Sequence, residues 1–221
     1  MSTYLVTGAN RGIGLEFCRQ LQSRGDSVIA VCRQSSRDLD QLGVQVETGL
    51  DLTVPSTFTQ LQQRLGSQKL DVLINNAGAY GLTTLENFDP EEILTLFQVN
   101  ALGPLQFTHA LLPNLGPGSK IIFITSRMGS IGDNTSGSSY SYRMSKVALS
   151  MAGKSLAIDL QPRHIAVAIL HPGLVQTRMT GFTSHGISPE QSVKGLIQRT
   201  DDLSLDSSGT FWHANGEVLP W

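Results

Sequence analysis

Cysteine is nearly absent from the chain: Cys18 and Cys32 are the only two in 221 residues. They do not have the spacing of a metal or redox motif, so the expectation is two packed, unreactive thiols in a reducing compartment. Charge is scarce as well, at 15% of residues, with a formal net charge of −2. That balance argues against nucleic acid or an anionic membrane surface as the main partner. Long apolar runs are missing, so no segment is expected to span a membrane. The first strand is expected within a few residues of Met1, which leaves no room for a charged and then apolar leader. A soluble cytoplasmic protein is the resulting expectation. No second histidine or carboxylate stands at ligand spacing from His109 or His171, so no metal is expected and both read as structural; His164, His185 and His213 read as exposed.

What is present alternates regularly. At 40% hydrophobic, the chain can bury a sizeable core as one domain spanning residues 1–221. Short β-rich apolar runs are expected as strands at Thr3–Thr7, Ser27–Cys32, Val44–Thr48, Leu70–Ile74, Lys120–Thr125, Ile165–Leu170 and Thr210–Trp212. Most are continuously apolar, the pattern of parallel strands covered on both faces. Helical patterns fill the intervals. Two have start signals: Asp89-Pro90-Glu91-Glu92 and Ser188-Pro189-Glu190-Gln191 each place an N-cap, then a proline at the first helical position. The fold class expected is α/β, a single doubly wound Rossmann domain with a mainly parallel seven-stranded sheet flanked by helices.

Ligands of such sheets sit beyond strand C-termini. There the run Thr7-Gly8-Ala9-Asn10-Arg11-Gly12-Ile13-Gly14 follows the first strand. Glycines 8, 12 and 14 allow a tight turn and close approach of backbone to a pyrophosphate at a helix start, with Asn10, Arg11 and Ile13 in the same turn. An NAD-selective site places an acid at the end of the second strand for the ribose 2′-hydroxyl. None is there. Arg33 stands in its place and Arg11 lies in the turn, two guanidinium groups suited to a 2′-phosphate, so the cofactor expected is NADP(H).

Farther on, Tyr142 is the only tyrosine with a lysine four residues later, Lys146. Residues at that spacing share a helix face. A phenol titrates near 10, so acid–base work near neutral pH calls for a lowered pKa, which a neighbouring ammonium together with the positively charged nicotinamide of the oxidised cofactor would favour. Pro104 adds a second signal, because in a continuous helix it deprives the carbonyl of Asn100 of its partner. A freed carbonyl inside a helix is a natural anchor for water.

Together, Thr7–Gly14, Asn75-Asn76-Ala77-Gly78, Tyr142–Lys146 and Pro172-Gly173 with Thr177 beyond resemble the short-chain dehydrogenase/reductase family over nearly the whole chain. The run Asp133-Asn134-Thr135-Ser136-Gly137 and the tail Gly216-Glu217-Val218-Leu219-Pro220-Trp221 look like the Sniffer and C-factor branch, whose members include NADPH-dependent carbonyl reductases and proteins associated with intercellular signalling. The resemblance implies that residues 1–120 mainly bind cofactor and that 121–221 carry the catalytic and substrate elements. Asp51 and Leu52 would flank the adenine. Asn75, Ala77 and Gly78 would line the adenosine ribose and the central sheet. Pro172, Gly173, Val175 and Thr177 would hold the nicotinamide end. Lys146 would also bond the nicotinamide ribose, and Asn100 would hold a water in a proton relay to Lys146. Of two serines before Tyr142, Ser126 closes the fifth strand, where the family places its catalytic serine. Ser130 lies nearer the common family separation and reads as a loop cap. Ser126 is therefore expected to hold the carbonyl oxygen while Tyr142 donates its proton.

The implied activity is reduction of an aldehyde or ketone with apolar bulk, beneath a short lid at Met179–Ile187. Met128, Met179 and Phe182 could offer adaptable contacts, and Tyr140 reads as a pocket wall or a surface ring. The helix near Tyr140–Leu160 carries apolar residues on several faces, so a homodimer is expected, with a tetramer open. The alternative is a cofactor-loaded signalling module of C-factor type, with little or no turnover.

Overall fold

In the computed structural model, which describes residues 1–221, seven strands form one sheet: β1 (Thr3–Thr7), β2 (Ser27–Val31), β3 (Gln45–Glu47), β4 (Leu70–Asn75), β5 (Leu115–Ile124), β6 (Ala166–His171) and β7 (Phe211–His213). Their order is β3-β2-β1-β4-β5-β6-β7, and all six pairings are parallel. The helices are α1 (Gly12–Ser23), α2 (Arg37–Asp40), α3 (Ser56–Leu65), α4 (Pro90–Phe97), α5 (Gly103–Leu111), α6 (Tyr140–Asp159) and α7 (Pro189–Asp202).

The continuous apolar strands now have their explanation, because alternate residues face two cores. Tyr4, Val6, Val28, Ala30, Val72 and Ile74 join a cluster that includes residues of α1 and α7. Leu5, Ile29, Val31, Leu73, Ile121 and Phe123 join another with residues of α3, α5 and α6. With both faces of the central strands covered, few positions there call for a polar residue; Asp71 near the start of β4 and the edge strand β3 are the less covered exceptions.

The expected strands hold to within a residue or two, except that β5 begins five residues early, at Leu115. Leu115 pairs with Leu70 before the register shifts, and pairing resumes at Val72 with Lys120. Within that irregular stretch the Ser119 hydroxyl accepts from the Gly116 N–H and donates to the Leu70 carbonyl. A side chain thus supplies bonds that the ladder omits, which is why this glycine-rich stretch does not read as strand.

Between α4 and α5, a π-helical turn spans Gln98–Leu102, at the position where Pro104 was expected to break the ladder. The Gly103 N–H reaches back five residues to the Gln98 carbonyl. Such single-turn π segments recur at functional sites.

Chain order and sheet order part company between β1 and β4: their neighbours β2 and β5 lie on opposite sides. Two successive loops therefore diverge there, leaving a crevice beyond the strand C-termini.

Candidate active site

The glycine turn follows β1 at that crevice. Gly8 and Gly12 have φ of +68° and +56°, in the left-handed region. A Cβ on Gly14 would lie 2.2 Å from the Gly8 carbonyl oxygen, so no other residue fits there. One on Gly8 would lie 2.9 Å from Ala77 Cα, so the turn packs directly on the loop after β4. At Gly12 a Cβ would meet only the Thr177 side chain, at 3.5 Å, which brings the Pro-Gly segment to the same turn. Arg11, the N-cap of α1, makes no capping bond with its side chain, unlike Ser36, Asp89 and Ser188 at α2, α4 and α7. The first N–H groups of α1 are thus left without a side-chain acceptor, as a pyrophosphate needs.

The Asn10 amide donates to the Gln34 carbonyl at 2.9 Å, joining the glycine turn to the loop after β2. Arg11 and Arg33 are both exposed, and neither pairs with a carboxylate. Both forks are available to a phosphate. Asp51 accepts from the backbone and hydroxyl of Thr53, which hold its carboxyl below the usual range with help from Arg33. Leu52 is buried beside it, packed on Gly103, where a Cβ would stand 2.5 Å from the Leu52 carbonyl.

Asn75 is buried, and its amide donates to Thr108 on α5 at 3.0 Å. Its side chain thus ties the end of β4 to α5. The next residue, Asn76, works at the crevice: its amide donates to the Thr7 carbonyl at 2.9 Å. The Thr7 hydroxyl in turn accepts from the N–H groups of Asn76 and Ala77. Thr7 and Asn76 thus lock the ends of β1 and β4 together, a pairing of neighbours in space that one-dimensional reading does not show.

Past β5 the catalytic candidates converge. Ser126 caps a short 3-10 turn, its hydroxyl accepting from the Met128 N–H at 3.2 Å. Ser130 caps too, accepting from Asp133; of the two serines, Ser126 is the one whose hydroxyl stands near enough to the Tyr142 phenol to favour phenolate. Tyr142 and Lys146 lie on the buried face of α6. The Lys146 ammonium is 5.7 Å from the Tyr142 ring centre and donates to the Ile124 carbonyl at 3.0 Å. A Cβ on Gly78 would lie 3.1 Å from Asn100 Oδ1 and 3.5 Å from Lys146 Nζ, so the loop after β4 packs closely on both side chains. Asn100 is fully buried on the π turn. Its side chain accepts from the Ala79 N–H and donates to the Ala79 carbonyl, both at 2.8 Å, and donates to Ser145. Opposite, the buried Ser192 hydroxyl on α7 holds the Pro172 carbonyl at 2.6 Å. Val175 bridges Ile187, closing the base of the segment between them.

A family model described as short chain dehydrogenase matches residues 2–187. The chain belongs to the short chain dehydrogenase family. Over 227 aligned residues, covering all of both chains, this short chain dehydrogenase is 42% identical to the 1-hydroxy-2-glutathionyl-2-methyl-3-butene dehydrogenase of Rhodococcus sp. (strain AD45). It is 44% identical to the C-signal of Myxococcus xanthus over 155 residues, 69% of this chain and 93% of that one. Among solved structures, the carbonyl reductase Sniffer of D. melanogaster superposes with a TM-score of 0.91 at 30% identity, covering all of both chains. The NADPH-bound carbonyl reductase from chicken fatty liver gives the same TM-score and identity, covering 100% of this chain and 99% of that one. The Sniffer and C-factor branch that the loop and the tail suggested is the one in which this dehydrogenase falls.

Two expectations need correction. The Tyr142 phenol is not lowered but pushed up to about 12, because burial outweighs the bond from Ser126, with Tyr80 adding to the rise. Burial acts on Lys146 as well and pushes its ammonium down to about 8. Desolvation penalises the charged form of each and is the largest cause of both shifts. His213 is not exposed but half-buried, its ring 5.0 Å from that of His171 in an edge-to-face pair. Burial and the neighbouring His213 keep the His171 imidazole neutral, down to about 3. Both thiols are buried and free, and burial raises that of Cys18 to about 12, so neither presents a ready thiolate.

Sequence reading missed Tyr80 and Glu92. The Tyr80 ring lies 5.0 Å from that of Tyr142, inclined at 59°, and forms one wall of the site. Glu92, at N3 of α4, does not reach back to its own cap; the backbone there is served by Asp89. Its carboxylate accepts instead from the Thr83 and Ser141 hydroxyls, at 2.5 and 2.6 Å. It ties the Tyr80 loop to the residue before Tyr142. Met128 lines an apolar hollow of about 280 Å³ with Ile131, Tyr140, Met144 and Val147. Met179 and Phe182 do not line it and stand exposed on the segment after Thr177.

Proposed function

We propose that the protein is an NADPH-dependent carbonyl reductase in which Tyr142 delivers the proton. The observation that carries this reading is a buried phenol on α6 with the Lys146 ammonium 5.7 Å from its ring centre, beside Ser126 at the mouth of a dinucleotide-type crevice; burial keeps that phenol neutral. A proton donor must arrive protonated, and a phenol raised to about 12 does so at neutral pH. Bound at the crevice, NADPH supplies the hydride.

The chain's own residues do the rest. The hydroxyls of Ser126 and Tyr142 hold the carbonyl oxygen and stabilise its developing negative charge. As the proton leaves Tyr142, the Lys146 ammonium stabilises the phenolate. Asn100, anchored on Ala79 and Ser145, fixes the π turn whose carbonyl would hold a water leading to Lys146. In the reverse direction Tyr142 accepts the proton, as oxidation of a hydroxy compound of the kind in the Rhodococcus relative's name would require. Arg11 and Arg33 read the 2′-phosphate, with Asp51 and Leu52 at the adenine. Gly8, Asn10, Gly12, Ile13 and Gly14 take the pyrophosphate side, and Pro172, Gly173, Val175 and Thr177 the nicotinamide end. On this division residues 1–120 mainly carry cofactor and 121–221 the chemistry. The substrate is an aldehyde or ketone with apolar bulk. Exposed Leu94 and Phe97 on α4, with Met144, Met151 and Ile158 on α6, form the face for a homodimer.

Turnover of NADPH and NADH by the purified protein on a panel of aldehydes, ketones and quinones tests the activity. NADPH oxidation on several of them supports it; binding without turnover on any counts against it. A second reading rests on the likeness to the C-signal: a signalling module whose output does not need the chemistry. Tyr142→Phe separates the two, since it removes turnover and leaves a partner-dependent signal intact.

A further inference from the structure

Two segments singled out in the sequence, Asp133–Gly137 and Gly216–Trp221, take no part in the chemistry above. In the folded chain both meet one residue beyond Ser126. Arg127 Nε donates to Asp133 at 2.6 Å, and its Nη2 donates to Glu217 at 3.4 Å. Next to this pair the Gly132 N–H donates to the Trp221 carbonyl at 2.7 Å. A Cβ on Gly132 would lie 3.2 Å from that oxygen, so loop and tail touch backbone to backbone.

The tail is itself anchored. Leu219 is 3% exposed, in a small cluster with Ile169 and Phe211, and its N–H donates to the Phe211 carbonyl at 2.8 Å. The Trp221 ring stacks on that of Phe211, centres 5.6 Å apart and 27° from parallel. At the other end, the turn that begins at Ser126 lies hard against α6: a Cβ on Gly129 would come within 2.8 Å of the Lys146 carbonyl carbon. The Ser126 hydroxyl sits between an anchored strap and the backbone of the helix that bears Tyr142 and Lys146.

We propose that Arg127 and the segment Glu217–Trp221 are positioning elements that hold Ser126 at the distance from Tyr142 needed to share one carbonyl oxygen. This rests on the role given to Ser126 above. The Arg127, Asp133 and Glu217 side chains are 43%, 25% and 47% exposed, so their ion pairs add little to stability. What they supply is geometry, to which catalysis is far more sensitive.

The test is a double-mutant cycle on kcat with Arg127→Ala and Ser126→Ala, NADPH affinity and Tm being measured for every variant. Arg127→Ala is expected to lower kcat about tenfold in the native background and less than about twofold when Ser126 is already alanine. NADPH affinity should stay within about twofold throughout. Glu217→Gln, an exposed change that leaves the packed tail in place, should show the same pattern in smaller measure. An equal loss in both backgrounds, or an unchanged kcat in Arg127→Ala, overturns this inference and leaves the reductase reading standing. Full activity of Ser126→Ala overturns the serine's role and this inference with it.

Discussion

Replacing Lys146 with methionine should stabilise the protein at neutral pH while removing its activity. Lys146 is 4% exposed, and burial lowers its ammonium from 10.5 to about 8. At about 1.4 kcal/mol per unit, holding it charged below pH 8 costs the fold about 3 kcal/mol. Methionine fills nearly the same volume without that penalty. It forgoes the hydrogen bond to the Ile124 carbonyl, worth about 1 kcal/mol. The net expectation is a gain of about 2 kcal/mol, or about 4–8 °C in Tm for a chain of this size.

The pH dependence supplies the sign check. Between about 8 and 10.5 the unfolded chain keeps the lysine proton that the folded chain has lost. At this site the unfolded state then binds more protons, so the lysine's contribution to stability rises with pH in that window; the Cys18 thiol, raised to about 12 by burial, acts in the opposite sense above about 9 but equally in variant and wild type. Above about 10 the Tyr142 phenol, held up to about 12 when folded, acts in the opposite sense. Urea unfolding at about pH 7 and about pH 9.5 therefore isolates the lysine, and the gap between variant and wild type should shrink by about 2 kcal/mol. A Lys146→Met protein less stable than wild type at neutral pH, or a gap indifferent to pH, would refute the assignment of the penalty to burial. Retained turnover in this variant would refute the role given to the ammonium.

Further outcomes follow from particular contacts. Tyr142→Phe keeps the ring against Tyr80 and loses the proton, so kcat should fall about 10³-fold with NADPH affinity nearly unchanged; full turnover would remove the phenol from the mechanism. Arg33→Asp should weaken NADPH by about 10- to 100-fold and spare NADH, the loss of a charge-assisted bond to phosphate; equal losses for both cofactors would show that the arginine acts otherwise. Gly14→Ala drives a Cβ into the Gly8 carbonyl oxygen, and the overpacking should cost about 3 kcal/mol or more and abolish cofactor binding; a fluorescence titration that still saturates would contradict the close packing. Glu92 is held below its usual carboxylate range chiefly by the Ser141 and Thr83 hydroxyls. Wild type should therefore lose stability as pH falls through that range, and Glu92→Gln should lose less; identical acid profiles would show that the bonds do not matter.

How far the sequence reaches varies with the range of the interaction. The strands were readable because burial on both faces leaves a continuous apolar run, as at Leu70–Ile74 and at Ile165–Leu170. The starts of α4 and α7 were readable because a cap acts within three residues, as Asp89 and Ser188 do. The early start of β5 was not, since the Ser119 hydroxyl that carries it there bonds a strand 49 residues away. Neither was Glu92, which fits a capping motif locally and spends its carboxylate on Ser141 instead.

The sequence by itself determined the doubly wound fold, the glycine turn, the Tyr142–Lys146 pair and an interruption of the helix near Asn100, each set by periodicity, backbone freedom or helix spacing within a few residues; that the interruption is a π turn came from the structure. Only the tertiary structure decided that Tyr80 walls the site and that the tail reaches the loop beyond Ser126. It also showed that in the free protein burial, not the nearby ammonium, sets the shift of Tyr142. Spacing brings a charge near a phenol, but desolvation depends on everything packed around both, and that is a property of the folded whole.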